Sequence, residues 1–149
     1  MTINERQDEI IEEFEAFDDW MDRYQLIVDY AKELQKNPMP ESEKTEQNKI
    51  DGCQSTVWFS CKYEDGKLWF NGDSEALLVK GIVAMLLYVL SGSTPKEILE
   101  TELYFIERIG LQEHLSTTRS NGVVAMLKQL RLYALAYNSS PSCNFQSTW

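Results

Sequence analysis

Two short runs of β-branched and aromatic residues stand on either side of an Asp-Gly pair, and this pattern constrains the fold more than any other in the sequence. The first run covers residues 56–63 and the second covers residues 67–71. Asp65 and Gly66 between them are typical of a tight hairpin turn, because both central residues of such a turn need positive φ. The sequence therefore predicts one antiparallel β-hairpin.

Helical periodicity precedes the hairpin. Apolar residues recur at every third or fourth position over residues 4–34, which is the spacing of an amphipathic helix. Asp18 and Asp19 offer an N-cap, because a short carboxylate accepts a hydrogen bond from a free backbone N–H, so we expect two helices with a break at this pair. Pro38 ends the second helix, and the polar residues 41–49 are expected to form a connector that ends in a short strand.

A long apolar run follows the hairpin. We expect Ser74 to cap a helix over residues 75–90 that ends at Gly92. Lys80 and Gly81 interrupt the run, and it falls short of the roughly 20 apolar residues that a membrane span needs. The sequence therefore predicts a central, buried helix at this place.

Further helices are predicted in the second half of the chain. Thr94 and Glu97 form a capping box, because each side chain can bond to the backbone N–H of the other residue, and a short helix is expected to begin there. A further helical turn or two should stop at Gly110. The last helix is expected to begin between Thr117 and Asn121.

The order of these elements indicates an α+β protein with a single domain. A chain of 149 residues has the length of one domain. We expect a small antiparallel β-sheet of about three strands, packed against several α-helices, over residues 1–137. Residues 138–149 are mostly small and polar and have no periodicity, so they are predicted to form a loosely ordered tail.

The charge balance disfavours several classes of partner. The chain has 24 Asp and Glu against 14 Lys and Arg, a net charge of −10. Since affinity for a phosphate backbone comes mainly from basic side chains that release counterions, we expect no nucleic-acid partner and no membrane partner. The first residues carry charges of both signs without an apolar core, unlike a secretory signal, and a cytoplasmic location is expected.

The three cysteines have different predicted settings. Cys61 alternates with apolar residues of the first predicted strand and should lie in the core or on the sheet, whereas Cys143 falls in the predicted tail. Their odd number in a chain without a secretory signal indicates free thiols. Zinc needs four clustered Cys, His or carboxylate ligands, and the sequence has no Cys-x-x-Cys and one His, so no metal site is expected.

Cys53 lies in a segment that is predicted to be a loop at the end of the sheet. Gly52 permits backbone conformations closed to other residues, and Gln54 and Ser55 add hydrogen-bonding groups beside the thiol. A thiol presented in this way is a candidate nucleophile. Free cysteines are also often small buried hydrophobes, and the local pattern leaves both interpretations open.

Two other side chains could assist a thiol. His114 would take the thiol proton if it lay near Cys53, but a single His after a helix end is more often a capping or surface residue. Arg119 precedes a helix start, where it is either a solvated arginine or a fixed positive charge that lowers a thiol pKa.

Four separated motifs occur in one order along the chain. They are Ile50-Asp51-Gly52-Cys53-Gln54-Ser55-Thr56-Val57-Trp58, then Gly72-Asp73-Ser74-Glu75-Ala76 leading into Val79-Lys80-Gly81, then Gly110-Leu111, and finally His114-Leu115-Ser116 through Arg119-Ser120-Asn121-Gly122. In this order they resemble the SufE family of sulfur-acceptor proteins, over roughly residues 10–137. Thr117 stands where the family commonly has proline.

The resemblance implies a function. SufE proteins take a sulfur atom, as a persulfide on the cysteine of the first motif, from a pyridoxal-phosphate-dependent cysteine desulfurase (SufS-like), whose turnover this enhances. They pass the sulfur to an iron–sulfur cluster assembly scaffold (SufBCD-like). By position Cys53 is the acceptor; this chain needs no cofactor, since pyridoxal phosphate belongs to the desulfurase. The other positions that match family motifs are Gly52, Gln54, Ser55, Asp73, Ser74, His114, Arg119 and Asn121.

We also expect the loop to hold Cys53 against apolar side chains until a partner draws it out, because persulfides are easily lost to reductants and oxidants. Two other functions remain open. One is a partner-binding module with a structural Cys53, and the other is a cysteine hydrolase that uses Cys53 and His114. Neither explains the whole series of motifs.

Overall fold

The computed structural model describes residues 1–53, 55–115 and 117–139, with residues 117–119 and 139 by backbone only. This part of the chain contains seven α-helices and a two-stranded sheet. The strands are β1 (Val57–Glu64) and β2 (Lys67–Ser74). The helices are α1 (Ile3–Glu15), α2 (Trp20–Gln35), α3 (Leu77–Leu90), α4 (Pro95–Glu100), α5 (Phe105–Arg108), α6 (Leu111–His114) and α7 (Thr117–Ser139).

The hairpin forms as predicted. Strands β1 and β2 are antiparallel, and Asp65 and Gly66 at the turn have φ of 53° and 77°. The described residues contain two strands, where about three were expected. The connector is occupied by two short 3-10 turns, Glu41–Glu43 and Glu46–Asn48, so that only Lys49 is left to make a single bridge to β1.

Helix α3 lies at the centre of the molecule, as its apolar sequence predicts. It packs against α1, α2 and β2. Gly81 lies directly against α2, since a Cβ atom on Gly81 would be 2.3 Å from the carbonyl oxygen of Ile27. Any side chain at position 81 would force the two helices apart. The largest fully buried side chains of the core are Phe14, Phe59, Phe105, Ile10, Ile27, Leu68, Ile82, Met85, Leu86, Leu90, Ile98 and Ile109.

Two of the predicted helix starts are confirmed. The Asp19 carboxylate accepts a hydrogen bond of 2.9 Å from the backbone N–H of Met21, and α2 begins directly after Asp19. Thr94 and Glu97 form the reciprocal capping box at the start of α4. Gly92 has a φ of 84° just after α3, which agrees with its predicted place at the end of that helix.

Other boundaries differ from the prediction. Ser74 does not cap α3; it ends β2, and its hydroxyl donates to the carbonyl oxygen of Thr56 and accepts from the N–H of Ala76. Helix α3 therefore begins two residues later than expected, at Leu77. The four-residue helix α6 is too short to give a periodic signal.

The last helix begins within the predicted interval but continues through Ser139, past the predicted domain boundary at residue 137. Gln54 and Cys143 lie outside the described residues. Within the described ranges, no helix combines the length and the apolar character that crossing a bilayer requires.

Candidate functional site

Cys53 is half-buried and lies against the second turn of α7. Gly52 before it has a φ of 89°, a value that favours glycine. This turn brings the Cys53 thiol to α7, where its S–H donates to the carbonyl oxygen of Gly122 at an Sγ–O distance of 3.6 Å. The loop that precedes β1 is thus attached to a helix much later in the chain.

Small residues on α7 make this contact possible. A Cβ atom on Gly122 would lie 3.6 Å from Cys53 Sγ, and one on Gly52 would lie 3.3 Å from Cβ of Ala125. Cys53 also packs against the apolar core. The cysteine is therefore held against apolar side chains, as expected, and it is neither a fully buried core residue nor a freely exposed one.

The environment of Cys53 favours the protonated thiol. Burial raises the pKa of the Cys53 thiol above its ordinary value. The carbonyl oxygen of Gly122 accepts a hydrogen bond from the S–H group and so also favours the neutral thiol. Because the thiolate is the nucleophile in sulfur exchange, Cys53 is a weak nucleophile while it rests on α7.

A small open cavity lies beside Cys53. It has a volume of about 130 Å³. Its walls come from the segment before Cys53 and from the start of β1, and they include the predicted site residue Ser55. The lining residues are Lys49, Ile50, Asp51, Cys53, Ser55, Thr56 and Val57.

Asp73 has a structural role in the described fold. Its side chain is buried and forms ion pairs with Lys44, at 2.8 Å, and with Lys80, at 3.2 Å. Burial would raise the pKa of Asp73, but the Lys44 ammonium, the Ser74 backbone N–H and the Lys80 ammonium together outweigh it, so that the pKa lies below its usual range. Asp73 thereby joins β2 to α3 and to the turn that carries Lys44.

His114 belongs to a different cluster of side chains. Its ring stacks on that of Trp20, with centroids 3.7 Å apart, and its Nδ1 atom lies 3.1 Å from the carbonyl oxygen of Gly110. Arg23 lies over the other ring of this stack, 5.4 Å from the centroid of Trp20. The contacts of His114 are therefore with the start of α2 and with Gly110, whereas those of Cys53 are with α7.

The remaining predicted residues lie on α7. Asn121 is exposed and directly precedes Gly122. Arg119 lies in the first turn of α7, where the structure describes its backbone only. A lowering of the Cys53 thiol pKa by Arg119 therefore stays a prediction. Gly122 and Ala125, which hold the Cys53 loop, were not singled out from the sequence. No local pattern relates residues so far apart, although Gly122 closes the last of the four motifs.

Cys61 is a poor candidate for sulfur chemistry. It lies in β1 opposite Phe70 and lines a cleft of about 570 Å³ between the hairpin and α7. Burial raises the pKa of the Cys61 thiol to about 12, so almost none of it is thiolate at neutral pH. Among the residues that the structure describes, no group of three or more His, Cys, Asp or Glu could hold a metal ion.

These features define a class: a small α+β protein with a half-buried cysteine on a loop that rests on a helix. The Fe-S metabolism associated domain, which characterises SufE proteins, matches residues 8–134. The chain belongs to the SufE family, and the family places it in iron–sulfur metabolism.

Relatives agree with this assignment. The chain is 41% identical over 133 residues to an uncharacterised SufE-like protein of Synechocystis, covering 89% of this chain and 82% of that one. It is 39% identical to a SufE-like protein of Rhizobium meliloti, over 83% of this chain and 91% of the relative. It is 35% identical to the chloroplastic/mitochondrial SufE-like protein 1 of Arabidopsis thaliana, over 85% of this chain and 34% of the longer plant protein.

A solved structure has the same fold. The solution structure of a hypothetical protein from Thermus thermophilus superposes with a TM-score of 0.74 at 24% identity, covering 91% of this chain and 97% of the other. The predicted α+β class is therefore confirmed.

Proposed function

We propose that this protein accepts a sulfur atom on Cys53, as a persulfide, from a pyridoxal-phosphate-dependent cysteine desulfurase of the SufS-like kind and delivers it to an iron–sulfur scaffold of the SufBCD-like kind. The observation that carries the proposal is the contact between Cys53 and Gly122, which holds the Cys53 thiol half-buried against α7. The assignment to a family of iron–sulfur metabolism supports the proposal.

The transfer is a redox-neutral exchange. The Cys53 thiolate attacks the outer sulfur of the donor persulfide, the donor S–S bond breaks, and the donor cysteine leaves as a thiolate. Cys53 then carries the extra sulfur. Because this step returns the donor cysteine to its reactive form, the acceptor raises desulfurase turnover. No cofactor of this chain takes part, and pyridoxal phosphate serves the desulfurase.

Release of the loop from α7 is the step that activates Cys53. While the thiol donates to Gly122 and its pKa is raised by burial, its thiolate fraction is low. A desulfurase that draws the loop outward removes both effects. The net charge of −10 favours docking on a partner surface with basic patches. We expect the reaction to occur in the cytoplasm.

One observation favours a second candidate. A thiol that packs on the core with a raised pKa is also what a structural cysteine of a binding module would show. The hydrolase candidate has less support, because His114 contacts Trp20 and Gly110.

The deciding experiment measures intact mass after incubation with a purified cysteine desulfurase and cysteine, without reductant. The wild type should gain one sulfur atom that thiol treatment removes, and Cys53→Ala should gain none. Cys61→Ala is the matched control and should load like the wild type. A wild type that stays unloaded by an active desulfurase from its own organism would favour the binding module.

A further inference from the structure

The cavity beside Cys53 contains one lysine. Of the described residues that line it, Lys49 alone carries a positive charge, and Asp51 alone carries a negative one. At about 130 Å³ the cavity is several times larger than the space that one water molecule needs, so its volume is sufficient for one further sulfur atom.

The backbone of Lys49 is attached to the sheet rather than to the loop. Lys49 forms an isolated antiparallel bridge with Trp58 of β1. The N–H of the next residue, Ile50, donates to the carbonyl oxygen of Val57 at 2.9 Å. The base of the lysine side chain therefore stays in place when the loop around Cys53 moves.

The ammonium group of Lys49 can exchange its present partner, Glu46, for another anion. Its Nζ atom lies 2.8 Å from a carboxylate oxygen of Glu46, but the two side chains are 40% and 88% exposed. Exposed ion pairs contribute little to stability, so exchanging Glu46 for another anion costs little. The other carboxylates that act on Lys49 or share its cavity are those of Glu75 and Asp51.

We propose that Lys49 is a positioning residue that holds the terminal sulfur of a Cys53 persulfide in this cavity as an anion. The inference rests on the proposed function, because it requires Cys53 to carry the sulfur. A persulfide is a stronger acid than the thiol it comes from, and its terminal sulfur is anionic at neutral pH. Without Lys49, that charge would lie in a cavity whose remaining charged group is the Asp51 carboxylate.

The test loads Cys53 chemically, so that no desulfurase is needed. Cys53 is first converted to its mixed disulfide with thionitrobenzoate, in a Cys61→Ala, Cys143→Ser background. Hydrosulfide then attacks Cys53 Sγ, the S–S bond to thionitrobenzoate breaks, and thionitrobenzoate leaves as a thiolate. Cys53 gains one sulfur without net oxidation or reduction, and the coloured leaving group measures the yield.

The readout is the rate at which iodoacetamide alkylates the terminal sulfur as a function of pH. In Lys49→Gln we expect a rate about threefold lower than wild type at a pH below the persulfide pKa, with the whole profile moved to higher pH. Lys49→Met keeps the aliphatic stem and should behave like Lys49→Gln. Lys49→Arg keeps the charge and should restore the wild-type profile.

A matched control distinguishes the effect of a charge beside Cys53 from the effect of removing a positive charge anywhere on the protein. Lys62 also forms an exposed ion pair, with Glu64, but it lines the cleft between the hairpin and α7 and not the cavity beside Cys53. Lys62→Gln should leave the profile unchanged. The inference is overturned if Lys49→Gln and Lys49→Met superpose on the wild type, if Lys49→Arg does not restore the rate, or if Lys62→Gln has the same effect.

The two hypotheses fail separately. If chemically loaded protein depends on Lys49 but the desulfurase never loads the wild type, the proposed function fails and the role of Lys49 toward a persulfide stands. If the desulfurase loads Cys53 and the alkylation profile is the same with and without Lys49, the proposed function stands and the role of Lys49 fails.

Discussion

The Sγ atom of Cys53 lies 3.6 Å from the carbonyl oxygen of Gly122, a residue 69 positions later in the chain. This contact attaches the loop before β1 to the second turn of α7. The contact buries the thiol, and the carbonyl oxygen accepts a hydrogen bond from its S–H group. Both effects lower the fraction of Cys53 that is thiolate. The residue at position 122 should therefore govern the reactivity of a cysteine in another part of the sequence.

Replacing Gly122 by leucine is expected to displace the Cys53 loop. A Cβ atom there already reaches van der Waals contact with Sγ, at 3.6 Å, and with Cα of Cys53, at 3.8 Å, so a longer side chain overlaps the loop. Exposure lowers the thiol pKa toward its ordinary value, and the alkylation rate of Cys53 at neutral pH should rise about threefold or more.

Gly122→Ala is the control for this experiment. Its methyl group fits beside the thiol, so the alkylation rate should stay near that of the wild type. The helix should gain about 0.5–1 kcal/mol of stability, measured by urea unfolding, because alanine loses less backbone entropy than glycine. Equal alkylation rates in the leucine and alanine variants would contradict the role of Gly122.

Cys53 and Cys61 should react with iodoacetamide in a fixed order. Burial raises the pKa of both thiols, but that of Cys61 reaches about 12. In a Cys143→Ser variant at mildly alkaline pH, peptide mass analysis should find Cys53 modified at least about tenfold faster, because the thiolate is the reacting form. In denaturant the two rates should converge. Faster labelling of Cys61 in the folded protein would refute the described environments.

Asp73→Asn should destabilise the fold by about 2 kcal/mol, because it leaves Lys44 and Lys80 half-buried without their shared counter-charge. The pKa of Asp73 in the folded protein lies below its unfolded value of 3.8. Its contribution to stability is therefore fully present above that value and is lost as the pH falls through the folded pKa. Urea unfolding of both proteins across this range should find a smaller acid-induced loss in the variant.

His114→Ala should separate structural from catalytic roles. It removes the stacked ring from Trp20 and the hydrogen bond to Gly110, at an expected cost of about 1 kcal/mol in unfolding free energy. Sulfur loading of Cys53 by the desulfurase should stay within about twofold of the wild type, because the ring acts elsewhere. Loss of loading in a variant that remains folded would place His114 in the reaction.

Local signals predicted the parts of the fold that depend on a few neighbouring residues. The Asp65-Gly66 turn, the Asp19 cap and the Thr94 capping box each rest on contacts within three residues, and all three form as expected. Ser74 was misassigned for a tertiary reason. Its pairing at the end of β2 and its bond to Thr56 outweigh its local tendency to cap the following helix.

The site was predictable only in part. The loop setting and the motif order single out Cys53, but the raised pKa depends on burial against Gly122, which is close in space and distant in sequence. The same is true of Asp73, whose carboxylate is joined to Lys44 and Lys80 by the packing of three separate elements. Contacts of this kind follow from tertiary structure and leave no periodic trace in the chain.

The crossing of α2 and α3 at Gly81 limits which substitutions this sequence can accept. With the carbonyl oxygen of Ile27 only 2.3 Å from where a Cβ would be, position 81 admits a single amino acid for as long as the two backbones keep their present spacing. Gly122 has room for one methyl group beside the thiol. In a library of random substitutions, variants that still fold should all keep Gly81. Some of them should have alanine in place of Gly122.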